Sequence, residues 1–154
     1  MGASGWVYVV PYQDNLQAAL DDLRRHVFAT GAYVKPDDYG DVFEDLPVPG
    51  SVDDLEQEQF GEFMGTSGTH SVIDVRRIVP VDFPEEEFGA IRPLSDDEAR
   101  LLFGMPRPSR ADFDAVDENA LDDLVTGGRW TGRAVVLWTE DKPSEIAFWG
   151  YSGD

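Results

Sequence analysis

The sequence predicts an α+β fold: a single-layer sheet of about four strands with helices packed on it, closed by a C-terminal β-hairpin. Three observations point there. Trp6-Val7-Tyr8-Val9-Val10 reads as a strand and runs at once into an amphipathic stretch. The chain ends on two further strand-like runs rich in Val, Ile and aromatic residues. Between them lie short helical segments opened by capping residues and stopped by Gly or Pro. Neither a repeat nor a linker interrupts the order, so residues 1–154 are read as one globular domain.

Each element has its own signal. The first strand is closed by Pro11, and Asp14 or Asn15 then caps a helix with the stripe Leu16, Ala19, Leu20, Leu23 and Val27, stopped by Gly31. Residues 35–50 hold three prolines, two glycines and five acids and read as a loop. Ser51-Val52-Asp53-Asp54 has the form of a capping box with Asp in place of Glu, predicting a helix through about Met64. Gly65 to Thr69 is a turn. His70 to Val79 follows as a strand, with Arg76 and Arg77 breaking its alternation as at a bulge or an edge. Pro80 to Pro93 reads as loop. Ser95-Asp96-Asp97-Glu98 is a full capping box and opens a short helix ending at Gly104. Ser109 and Asp112 open another helical stretch, carrying Phe113, Val116, Leu121 and Leu124 and ended by Gly127-Gly128. Arg133–Thr139 and Ser144–Tyr151 are the hairpin, joined by the four residues from Glu140 to Pro143.

Composition narrows the function. With no cysteine, disulfides, thiolate metal sites and cysteine nucleophiles are excluded. Two histidines make a zinc enzyme a poor fit, and no cofactor is expected. No apolar run approaches a membrane span, and Met1 to Trp6 lacks the form of a secretory signal, so the expected location is the cytoplasm. Thirty-one acids against twelve bases give a net charge of −19, which repels nucleic acid and anionic membranes alike.

That charge is segregated. Residues 36–91 hold fifteen acids against two bases, thirteen of the nineteen excess negative charges. A genome-wide bias would act on the whole surface. A concentrated negative field instead steers a basic partner and speeds its association. The candidate contact residues are Asp37, Asp38, Asp41, Glu44 and Asp45 in the loop, Asp53, Asp54, Glu58 and Glu62 on the following helix, and Glu85, Glu86 and Glu87 beyond it. Clustered carboxylates also suit a divalent cation, but Asp37 to Asp41 lacks the alternating spacing of an EF-hand.

A second reading centres on His70, with Asp74, Trp149 and Tyr151, as a pocket for a small ligand or a hydrolase substrate. Four extended residues span about 13 Å, which separates Asp74 from His70, and Ser71 would face the opposite side. Gly65 to His70 has the look of an anion loop but precedes a strand rather than a helix. Phe148 and Trp149 point to opposite faces, so one of them lines a pocket or a partner surface unless the sheet is covered on both sides.

Gly68-Thr69-His70-Ser71-Val72-Ile73-Asp74-Val75 and Pro143 to Ser152 resemble stretches of small actinobacterial proteins that imply no particular activity. In character, a compact, cysteine-free, very acidic domain is similar to the immunity proteins and antitoxins that block basic toxins. The expectation is therefore a non-enzymatic module that masks a basic protein, a toxin or a nucleic-acid enzyme. The alternatives are the His70-centred binder or hydrolase and a mimic of DNA.

Overall fold

The computed structural model describes residues 3–85 and 87–153. The strands are β1 (Gly5–Pro11), β2 (Arg77–Ile78), β3 (Ala90–Pro93), β4 (Thr131–Thr139) and β5 (Lys142–Tyr151). The helices are α1 (Leu16–Thr30), α2 (Gly61–Thr66), α3 (Asp96–Phe103), α4 (Arg110–Asp114) and α5 (Glu118–Asp122). Short 3₁₀ turns lie at Pro36–Phe43, Val52–Glu56, Glu58–Phe60 and Val72–Asp74. The strands form one mixed sheet in the order β1-β5-β4-β3-β2. β1, β5 and β4 are antiparallel neighbours, while β4, β3 and β2 run parallel.

The α+β class holds, with five strands rather than about four. Both faces of the sheet are covered. On the first face Trp6, Ala134, Ile146 and Phe148 pack with Leu20, Leu23 and Val27 of α1 and with Leu55, Phe60 and Phe63. On the second, Val135, Leu137, Ala147 and Trp149 pack with Phe113 and Leu121. The alternation of β4 and β5 therefore separates two cores. Phe148 and Trp149 are 0% and 1% exposed, each in its own core.

Local chemistry accounts for the other departures. Asn15 accepts from Ala18 N–H and starts α1 as expected. The predicted helix from Ser51 is broken, because Gln57 is extended (φ −74°, ψ 150°) and only Gly61–Thr66 is α-helical. The predicted strand from His70 becomes a 3₁₀ turn, because the Ser71 hydroxyl accepts from Ile73 N–H and caps it. Only Arg77–Ile78 remains extended, at the sheet's edge. Residues 90–93, read as loop, supply β3 between β2 and β4. The helical stretch after Ser109 divides at Asp117, whose side chain caps α5. The hairpin loop is two residues, Glu140 and Asp141, with φ of 50° and 61°.

One close approach fixes the middle of the sheet. Gly150 pairs with Trp6 on one side and Gly132 on the other. A Cβ on Gly132 would lie 2.9 Å from the Trp6 ring, and one on Gly150 would lie 2.7 Å from it. The indole occupies the space that two missing side chains leave.

Candidate functional site

The segment from Pro36 to Thr66 is a layer with two sides. Phe43, Val52, Leu55, Phe60, Phe63 and Met64 turn inward and are buried in the first core. The segment breaks into short turns at the extended Gln57, and each turn buries its own apolar residues. Their polar neighbours must then face outward. Asp37, Asp38, Asp41, Glu44, Asp45, Asp53, Glu58 and Glu62 are all exposed.

Not every candidate acid is available. Asp54 is half-buried and accepts from Gly50 N–H (2.7 Å), Ser51 N–H (3.1 Å) and the Gln57 amide (3.1 Å), so it holds its turn together. Asp38 accepts from Lys35 N–H at 2.7 Å in the same role. Glu87 is engaged by Arg77. Glu85 is exposed, and Glu86 lies outside the described residues. Among the described residues, Asp37, Asp41, Glu44, Asp45, Asp53, Glu58 and Glu62 enter none of the ion pairs. Arg25 does place some positive field near Asp53.

Among the described residues, the one acid of the layer in an ion pair is Glu56. Its carboxylate accepts from the buried Arg24 guanidinium at 2.8 Å and lies 3.8 Å from Arg76. Arg24 also donates to Ile73 O at 3.3 Å, so it ties α1 to two segments at once. Sequence reading missed Arg24, whose signal was a base beside the apolar stripe of a helix. It also missed Val42 and Val48, which are 72% and 79% exposed among the acids.

Beneath this layer lies the second candidate. Asp74 is fully buried. Its Oδ1 accepts from Thr69 N–H and the Thr69 hydroxyl, both at 2.8 Å, and its Oδ2 accepts from Gly153 N–H at 3.0 Å. Burial pushes the carboxyl up, while the Thr69 and Gly153 donors and nearby His70 pull it back, and the net direction is upward. The carboxylate thus binds residue 69 to the chain's C-terminal segment. A side chain on Gly153 would lie 2.0 Å from Trp130, so only glycine fits there.

His70 has φ of 53° and sits with Nδ1 3.2 Å from Ser4 Oγ and Nε2 3.2 Å from the Tyr39 hydroxyl. Tyr39 in turn packs edge-on against Phe43 and Phe63, which links His70 to the acidic layer. The structure therefore brings His70 and Asp74 into one node, contrary to the extended spacing expected. Ser71 is spent elsewhere, on Thr69 Oγ1 (2.7 Å) and Ile73 N–H (3.2 Å), so no Ser71–His70 pair forms. Trp149 and Tyr151 lie on the sheet's other face, Trp149 donating to Leu121 O at 3.0 Å. The four residues do not share a pocket.

Among the described residues no group of three or more His, Asp or Glu is placed to hold a metal ion, and no helix is long and apolar enough to cross a membrane. Compared with known proteins, the chain matches no family model, no curated protein and no solved structure. The functional reading rests on the residues themselves.

Proposed function

We propose that this chain is a non-enzymatic binding module of the immunity or antitoxin kind, which masks a basic surface of a partner protein. The observation that supports it is the construction of the acidic layer. Its apolar side is consumed by the core, and seven of its carboxylates face outward without an ion pair among the described residues. Elsewhere three exposed arginines engage acids close by, in Arg25–Asp22, Arg100–Asp97 and Arg110–Asp114, whereas the layer itself carries no Lys or Arg between Pro36 and Thr66. Occlusion supplies the inhibition. Unscreened carboxylates accelerate the encounter, and Val42 and Val48 supply apolar contact once water is displaced.

The His70 node is read as structural in this proposal. Asp74 is saturated by backbone and hydroxyl donors, and its geometry joins two distant chain segments.

Used as bait in a lysate of its source cells, the chain should retain a basic protein that elutes as salt rises from about 0.05 to 0.5 M. A variant with Asp41, Glu44, Asp45, Asp53, Glu58 and Glu62 all changed to Lys should retain none of it. Asp54 is left intact because it caps a turn. Equal capture by the two proteins at low salt would end the proposal.

A further inference from the structure

The sheet has two edges, and the chain treats them differently. β2 is two residues long, with Arg76 and Arg77 beside or within it; short, charged edges deter pairing with another strand. β1, at the opposite end, runs seven residues without a charged side chain and without a register shift against β5. None of the usual devices blunts it before Pro11.

Ladder parity identifies the groups left over. Tyr12 N–H donates to Ser144 O at 3.1 Å, and Ser152 N–H donates to Ser4 O at 2.9 Å. Even-numbered residues of this strand therefore form the hydrogen-bonded pairs with β5, and Val7 and Val9 aim both N–H and C=O away from the sheet. Val7 is 47% exposed. Alongside runs a groove of about 440 Å³ floored by Tyr8, Val10, Ala19 and Leu23, with Asp22 and His26 at its rim.

Charge flanks this edge on both faces. On the α1 side stand Asp14, hydrogen-bonded to Tyr12, and Asp22, which lines the groove and is already engaged by Arg25. On the other face Glu118, Asp122 and Asp123 surround Tyr151, the cross-strand partner of Gly5. A second copy paired through β1 would set two chains of −19 edge to edge, with their α1 acids on one side of the joint. An extended cationic segment meets no such opposition.

We propose that β1 accepts an extended segment of a positively charged partner as a sixth strand, its apolar residues in the groove beside Tyr8 and Val10 and its basic residues toward the acids of α5. This mode of recognition takes affinity from main-chain hydrogen bonds and specificity from alternate side chains. It shares with the proposed function only the sign of the partner's charge.

The test uses the full chain with a ten-residue synthetic peptide alternating valine and lysine, followed by amide exchange. Val7 and Val9 amides should become protected on addition of the peptide. Val9→Pro removes an outward donor that the β1–β5 ladder does not use, and should weaken binding about tenfold with melting nearly unchanged. Should that variant melt early, the double reversal Asp22→Lys, Asp122→Lys leaves the strand untouched and should weaken binding by a similar factor. Reversing the six acids of the 41–62 layer should leave the Val7 and Val9 protection in place, which separates this site from that one. Three results would overturn the proposal: unchanged exchange at Val7 and Val9, equal binding of a valine–glutamate peptide, or protection of both amides through self-association without peptide.

Discussion

A carboxylate with no solvent contact is costly to ionise unless donors meet it, and Asp74 has three. Changing Asp74 to Asn puts an NH₂ against the donors of Thr69 or Gly153 and should cost about 1–3 kcal/mol in denaturant unfolding. Because its folded pKa is raised, the folded state holds this proton more tightly than the unfolded chain. The associated stabilisation is full below the ordinary carboxylate range and is lost as pH rises through the raised value. Glu98 behaves in the opposite sense. Burial alone would raise it, but the buried Arg133 guanidinium at 2.6 Å, Ser95 N–H and Arg92 together hold it below the usual range. Its contribution is present above about pH 4 and disappears as pH falls through the lowered folded value. Melting curves of the wild type and Glu98→Gln should therefore differ near neutrality and converge in acid. At this scale the sequence revealed which residues were chemically unusual but not their roles. His70 and Asp74 stood out, yet nothing in their spacing showed that Asp74 would reach Gly153.

Among the elements, α1, α3 and the terminal hairpin were legible because caps, stripe and alternation agreed for each. The elements that were misread are short. β3 is four residues ending in Pro, without room for alternation to show. The 3₁₀ turns at 52–56 and 58–60 are held by tertiary burial of Leu55 and Phe60, which local propensity does not encode. The glycines divide by what surrounds them. Gly61 has helical dihedrals and nothing within 4 Å of a new Cβ, so Gly61→Ala should stabilise by about 0.4–1 kcal/mol. Gly150→Ala places a Cβ 2.3 Å from Thr131 O and should destabilise by about 1–3 kcal/mol or more. At the hairpin, Glu140→Asn with Asp141→Gly supplies residues suited to two positive φ values and should raise the melting temperature modestly.

For the whole molecule, the charge asymmetry was visible in the sequence. The two-sided layer that presents it was not, since that depends on which of the 36–66 side chains the core claims. Self-repulsion at −19 predicts that added salt raises the melting temperature. The six-lysine variant, its net charge changed by twelve to −7, should melt higher than the wild type at low salt and show a weaker salt response. Loss of partner capture would then occur in a protein that is at least as stable, so misfolding would not explain it. The most direct measurement is hydrogen exchange on the chain in complex with the protein it retains from its source cells. Exchange should slow across the 36–66 layer. Protection confined to the α3–α5 face, with the acidic layer exchanging as in the free chain, would contradict the account.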